Sequence, residues 1–299
     1  MMSAQPTPDR AVNLMPCEQL TNSACTVSGR TGSSRSRNSQ VFGTWYVAEH
    51  RFRTMKAYLS SILVGSIFNP MIYLFALGVG IGSYIDANTG GIGQGTISYL
   101  TFVGPALLAS AALTMAFEET SYVVMGGFKW SREFWSMNAT PLCARQIVNG
   151  VLLAAGVRII FTVAVFWGFL RAFGAAPSAA SFLAMPAAIL SGLAFGSVIM
   201  YVASRLEEDD GWFAIINRLI IAPMFLFSGT FFPLEKFPLG LQWIGWISPL
   251  WHGTQLGRVA SYGMVEPAWL TVCHLAYLVA MLSLGLGLSW NSFSRRLSK

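Results

Sequence analysis

Six stretches of the chain are apolar over about 20 residues each, the length a helix needs to cross ~30 Å of hydrocarbon. They fall at 58–83, 97–117, 146–170, 181–203, 214–232 and 268–290, with polar segments between them. None shows the strict apolar–polar alternation of barrel strands, and the second, ISYLTFVGPALLASAALTMAF, carries no charge. The pattern predicts an all-α membrane protein with six transmembrane helices.

The flanks add two further elements. Residues 1–40 are rich in Ser, Thr, Asn, Pro and Arg and hold no apolar run, which predicts a disordered cytoplasmic tail. From Val41, VFGTWYVAEHRFRTMKAYL mixes aromatics with His50, Arg51, Arg53 and Lys56. It suits an interfacial amphipathic helix over 41–57, and equally a basic start to the first span. The six-span domain then occupies 58–295. After the fifth span, FSGTFFPLEKFP closes on two aromatics, then charge and proline, as a chain does on leaving hydrocarbon for water. The outer segment that follows contains Trp243, Trp246 and Trp251 but is broken by prolines. Short external re-entrant helices fit it, with Gly229, Phe231 and Phe232 as a constriction at the mouth of the fifth span.

Composition agrees with lipid exposure. Of 299 residues, 54% are hydrophobic and 11% charged, whereas a soluble domain carries about 25% charged residues. Placement explains the net charge of +6: with the N-terminus inside, 15 of the 19 Lys and Arg fall towards the cytoplasmic side, Arg218 near the inner end of the fifth span among them, leaving Arg158 mid-span and Arg171, Lys236 and Arg258 at the other face. Both termini are then cytoplasmic, and the basic balance reports topology rather than nucleic-acid binding. The four cysteines have neither metal-ligand spacing nor a disulfide pattern. Gly78 with Gly82, and Gly192 with Gly196, have the spacing of close helix packing.

Several residues are candidates for chemistry. Between spans two and three, EETSYVVMGGFKWSREFWSMNATPL interleaves aromatics with Lys129, Arg132 and Glu133. It is either a short helix facing a cytoplasmic partner or a helix resting on lipid. Arg158, mid-span in GVRIIF, needs an anionic substrate group, a carboxylate or water, unless its place is structural or the span boundary lies elsewhere. The acidic run in SRLEEDDGW reads as a solvated face, and His274 as a neutral histidine bonded within the bundle. Nucleotide-binding P-loops, zinc-protease motifs and Ser/His/Asp arrangements are absent from the sequence. Energy, if needed, must therefore come from a partner.

FLFSGTFFPLEKFP followed by ISPLWHGTQLGR, with FEETSYVVMGGFKWSREFWSMNATPL earlier, resembles the permeases of type-two ABC exporters, in the branch of nodulation lipo-oligosaccharide and drug-export permeases. The resemblance covers about 45–295. It implies a permease pairing with a second copy or a sister permease on separate ATP-binding cassette subunits, which would hold ATP and Mg, with no cofactor in this chain. It also assigns ATPase coupling to the Gly126–Met137 region, with Phe128, Lys129, Trp130 and Arg132 foremost. Gly229 to Phe232 would line the translocation path, while Arg158 matches no motif of the family and joins that path on physical grounds alone. The cargo implied is an amphiphile: a glycolipid, lipo-oligosaccharide or hydrophobic drug. A lipid-modifying enzyme would need His and acidic groups clustered at one face, and a secondary carrier would respond to a proton uncoupler rather than to ATP.

Overall fold

Long apolar runs in this sequence leave the backbone no partner but itself, so the chain folds as helices. The computed structural model describes residues 34–89, 97–208 and 211–298. The tail expected over 1–40 lies outside the described residues as far as position 33. The first helix, α1 (Ser34–Lys56), begins seven residues before the expected Val41. It buries Val47, Ala48 and Arg51, and leaves Phe42, Trp45 and Tyr46 exposed on the other side.

The first span runs through α2 (Leu59–Leu74), a π-helical segment Phe75–Gly82 and α3 (Ser83–Thr89). Next comes α4 (Tyr99–Thr120), whose cap Ser98 accepts from the Thr101 amide at 3.4 Å. Two short helices, α5 (Tyr122–Lys129) and α6 (Glu133–Asn138), precede α7 (Ala144–Ala172) and α8 (Ala184–Arg205). An apolar helix then combines α9 (Trp212–Ile216), a π-helical segment Asn217–Ile221 and α10 (Ala222–Phe227). Finally α11 (Leu239–Ile247) and α12 (Pro249–Tyr262) lead to α13 (Ala268–Leu297).

Among the described residues, five helices are long and apolar enough to cross a membrane: Leu59–Asn88, Tyr99–Lys129, Ala144–Ala172, Ala179–Arg205 and Ala268–Leu297. The expected fifth span, 214–232, is instead the shorter Trp212–Phe227. It stops there because Ser228 is the last half-helical residue and Gly229 turns left-handed at φ 72°, a glycine helix stop. The segment between it and the last span is helical, as α11 and α12.

The column of the bundle is α4, with 17 of its 22 residues buried. Its Ala112 and Ala116 face Gly192 and Gly196 of α8, where a Cβ on Gly192 would lie 2.8 Å from the Ala112 carbonyl oxygen. Lipid tails give no hydrophobic push between helices, so such small faces supply the contact instead. Serines bind α8 to α13: Ser289 donates to the Ser197 carbonyl at 3.2 Å and Ser204 to Ser292 at 2.7 Å. The first and last spans are far less buried, 25% and 17% of their most apolar windows against 78% for α4. Their apolar faces are therefore the most exposed in the bundle.

The bundle has two distinct ends. At the α6 end, Arg296 donates to the Ser204 and Leu206 carbonyls, and Asn138 to the Leu297 carbonyl. At the α12 end, Asp86 accepts from the Tyr99 amide at 2.8 Å. Gly192→Leu should destabilise the bundle by about 2 kcal/mol or more, because backbone rather than a flexible side chain must yield. Gly168→Ala, with nothing within 4 Å of a new Cβ, should be neutral or slightly stabilising in the same thermal unfolding series in detergent.

Candidate functional site

Beyond the last turn of α4 the chain continues as α5 and doubles back at Trp130–Arg132 into α6. The reversal requires Arg132 at φ 52°, a left-handed position that a non-glycine residue adopts at some cost. Beneath it, Phe128 is only 3% exposed. Its ring packs on Phe293 at 4.8 Å and Phe134 at 5.0 Å, and the Arg296 guanidinium lies over it at 4.2 Å. Gly126 supports Trp130, which is 61% exposed, and Lys129 and Arg132 stand exposed beside it. The segment is thus a hard aromatic base carrying a projecting, basic and aromatic tip. Phe128 serves the base; Lys129, Trp130 and Arg132 form the tip.

Above that tip lies a buried charge network. Arg158 is held by Glu119 in a close ion pair and by Glu118 at 3.7 Å. Arg51 of α1 sits 3.9 Å from Glu119 and 3.5 Å from Glu133 of α6. Breaking such a network from one side strands a buried charge, so α1, α4, α6 and α7 are locked together at this level. Arg158 is thus engaged by carboxylates and is not brought together with Gly229, Phe231 and Phe232. Those belong to the α12 end: Glu119 and Phe102, which marks that end on α4, are separated by about 25 Å of helix.

At the α12 end the organising side chain is Arg258, which is 2% exposed. Its guanidinium donates to the Gly229 carbonyl at 2.7 Å and the Phe102 carbonyl at 3.4 Å, and stacks over the Phe102 ring at 3.9 Å. Burial lowers its pKa to about 10, which leaves it cationic at neutral pH. Ser228 donates to Ser248 at 2.7 Å, and Ser248 caps α12 through the Leu250 amide at 3.1 Å. The segments FSGTFFP and SPLWHGTQLGR, separate in sequence, are here one hydrogen-bonded unit. Within it Phe231 packs edge-on against Phe225 at 5.1 Å, while Phe232 is 55% exposed.

Beside that unit runs a polar chain that sequence reading did not foresee. His252 Nε2 lies 3.0 Å from the Trp246 carbonyl, and its Nδ1 lies 2.7 Å from His274 Nδ1. His274 Nε2 lies 3.2 Å from Glu266, which also accepts from Thr271 at 3.4 Å. His274 thus bridges His252 and Glu266 through its two ring nitrogens, and the chain ends on the Trp246 carbonyl. Burial lowers His252 to about 4, aided by His274 and opposed by its bond to the Trp246 carbonyl. Local spacing gives no signal of this arrangement; a histidine in the middle of an apolar helix, His274, is the one hint.

Arg258→Ala leaves the Gly229 and Phe102 carbonyls without their donor and should cost about 2–4 kcal/mol of bundle stability, read by thermal unfolding. A second expectation concerns pH. A group whose folded pKa is depressed from 6.5 to about 4 takes up a proton more readily when unpacked, so its stabilising effect is complete above about 6.5 and fades towards 4. Hydrogen exchange of α12 should accelerate as pH falls through that window, and His252→Gln should remove the step.

Comparison with known proteins fits both ends to one family. A family model described as ABC-2 type transporter matches residues 43–262, which includes the tip, the charge network and Arg258. Nodulation protein J of Rhizobium leguminosarum bv. viciae is 32% identical over 214 residues, 70% of this chain and 77% of that protein. Nodulation protein J of Neorhizobium galegae is 30% identical over 254 residues, 85% of this chain and 93% of that protein. The chain belongs to the ABC-2 type transporter family and is a membrane permease subunit of an ABC transporter.

Proposed function

We propose that this chain is the permease of an ATP-driven exporter that moves an amphiphile outward across the bacterial cytoplasmic membrane. In this reading Trp212–Phe227, together with the bent residues 228–232, completes a sixth crossing. The α6 end, with the greater share of Lys and Arg, faces the cytoplasm along with both termini. Two permeases, either two copies or one with a sister chain, pair through the sparsely buried spans and sit on two ATP-binding cassette subunits that carry ATP and Mg. The α11–α12 segment rests at the outer membrane face. Cargo of the glycolipid, lipo-oligosaccharide or hydrophobic-drug type suits the apolar walls and the aromatic mouth at Phe231 and Phe232.

The observation that carries the proposal is the projecting tip at Lys129, Trp130 and Arg132 on its buried Phe128 base. A rigid aromatic and basic knob, exposed while the ring beneath it is fully packed, has the composition of an interface hot spot. Binding at such a knob moves the base, and through the Arg51–Glu119–Arg158 network that motion reaches α4. Transport then proceeds by alternation between two packings of the bundle.

Lys129→Ala with Trp130→Ala should reduce recovery of the ATP-binding subunit with the tagged chain by about tenfold or more, the loss of roughly 1.4 kcal/mol or more at a hot spot. Thermal unfolding of the permease should be unchanged, because both side chains project away from the core. Unaltered recovery and unaltered ATP-dependent transport would remove the tip from the coupling role.

A further inference from the structure

Arg218 interrupts the apolar helix Trp212–Phe227 six residues from its start, roughly 9 Å along the axis. A guanidinium at such depth is costly unless a counter-charge, water or a ligand meets it. Arg158 and Arg258 are met by carboxylates and carbonyls respectively. Among the described residues Arg218 has no hydrogen bond or ion pair. It lines instead a cavity of about 240 Å³ between the first span, α4, α10 and α12.

The cavity is chemically two-sided. Arg218, Asn217 and Thr114 give it donors, and Leu113, Tyr73 and Phe225 give it apolar and aromatic walls. Phe225 touches Tyr73 at 6.3 Å and Phe231 at 5.1 Å, so the aromatic wall continues to the mouth. The volume accommodates a head group such as a phosphate with some water, while an acyl chain has the exposed apolar surface of the helix beside it. The helix on each side has π-helical turns, at Phe75–Gly82 and Asn217–Ile221, which often mark ligand-binding positions.

We propose that Arg218 is the binding cation for the anionic head group of an amphiphile, held in this cavity with its chain along Tyr73 and Phe225. The assignment of that amphiphile as cargo rests on the exporter reading; the head-group site itself does not. A bilayer phospholipid and a transported amphiphile share the required chemistry, so the experiment separates them.

The full-length chain is placed in nanodiscs of phosphatidylcholine without nucleotide, and two probes are titrated: lysophosphatidic acid with a fluorescent acyl chain, and lysophosphatidylcholine with the same chain. The acidic probe should bind at least about tenfold more tightly, and Arg218→Gln should weaken it about 10- to 100-fold, the range for charge-assisted hydrogen bonds. The choline probe should be unaffected, and Arg218→Lys should recover most of the loss. Asn217→Asp, which sets a competing carboxylate beside the guanidinium, should mimic Arg218→Gln and serves where that variant fails to fold. Unchanged affinity in folded variants, or equal loss of both probes, overturns the assignment. Discs containing phosphatidylglycerol then identify the source: displacement of the acidic probe marks a resident bilayer lipid, and retained binding marks cargo. If the acidic probe binds as expected but ATP and the cassette subunits do not move it, the site stands and the exporter reading fails. If ATP-driven export of a neutral amphiphile persists while the acidic probe never binds, the reverse holds.

Discussion

In a chain this apolar, a polar group that enters the bundle is costly unless a partner meets it, because hydrocarbon offers none. That single requirement organises the structure. Glu119 meets Arg158 and Arg51 at one end, and the Gly229 and Phe102 carbonyls meet Arg258 at the other. The histidine pair is closed by Glu266 and the Trp246 carbonyl, and the serines of α8 find those of α13. Most of these contacts join different helices, so satisfying the polar groups and fixing the tertiary fold are largely the same event. Deleting one partner costs more than the pair contributes, because the survivor is left buried and charged or unbonded.

Both principal polar clusters are anchored on α4. Glu118 and Glu119 lie in its last turn and Phe102 in its first, and α5 extends it towards the tip at Trp130. Close packing against α8 through Ala112 and Ala116 prevents α4 from bending freely between them. A shift imposed on the α5–α6 base must then displace the Arg258–Gly229 unit or break the buried pairs along the way. The second course is expensive, so the column favours movement of the whole. This gives coupling between the ends a mechanical basis in named contacts rather than in proximity alone.

The long helices were legible because their lengths follow from apolar composition, and their ends agree with the sequence within a few residues except where α4 continues through α5 and α13 extends to Leu297. The shortened fifth apolar helix was legible in principle too, since Ser228–Gly229 is a helix stop within FSGTFF. What sequence hid was pairing across the bundle. Arg258 reads as one more charge on the outer face, and Arg218 as one more on the inner, yet one is fully bonded and buried and the other is not. The carboxylates that meet Arg158 read as the start of a loop, whereas the helix runs on through them. Separations such as the 29 residues between Gly229 and Arg258 leave no local periodicity by which to infer a contact. His252 was likewise hidden, because its partners come from α11 and α13.

Irregularity in the helices has a distribution of its own. Among the described residues, π-helical turns occur in the first span and in Trp212–Phe227, and in neither α4, α8 nor α13. A π-turn carries one extra residue, with poorer hydrogen-bond geometry than the α-helix, so it must be compensated or useful. The segment Asn217–Ile221 gives the cavity Asn217, Arg218 and Ile221, and the segment Phe75–Gly82 begins two residues beyond Tyr73, which meets Phe225 there. The helices that bind one another through glycine, alanine and serine are regular; of the elements around the cavity, the first span and Trp212–Phe227 carry π turns, while α4 and α12 do not. Rigidity is thus placed where the two ends must stay in register, and local adjustability where a ligand would have to enter and leave. A wall able to exchange π for α geometry can shift its side chains around the axis without separating from its neighbours.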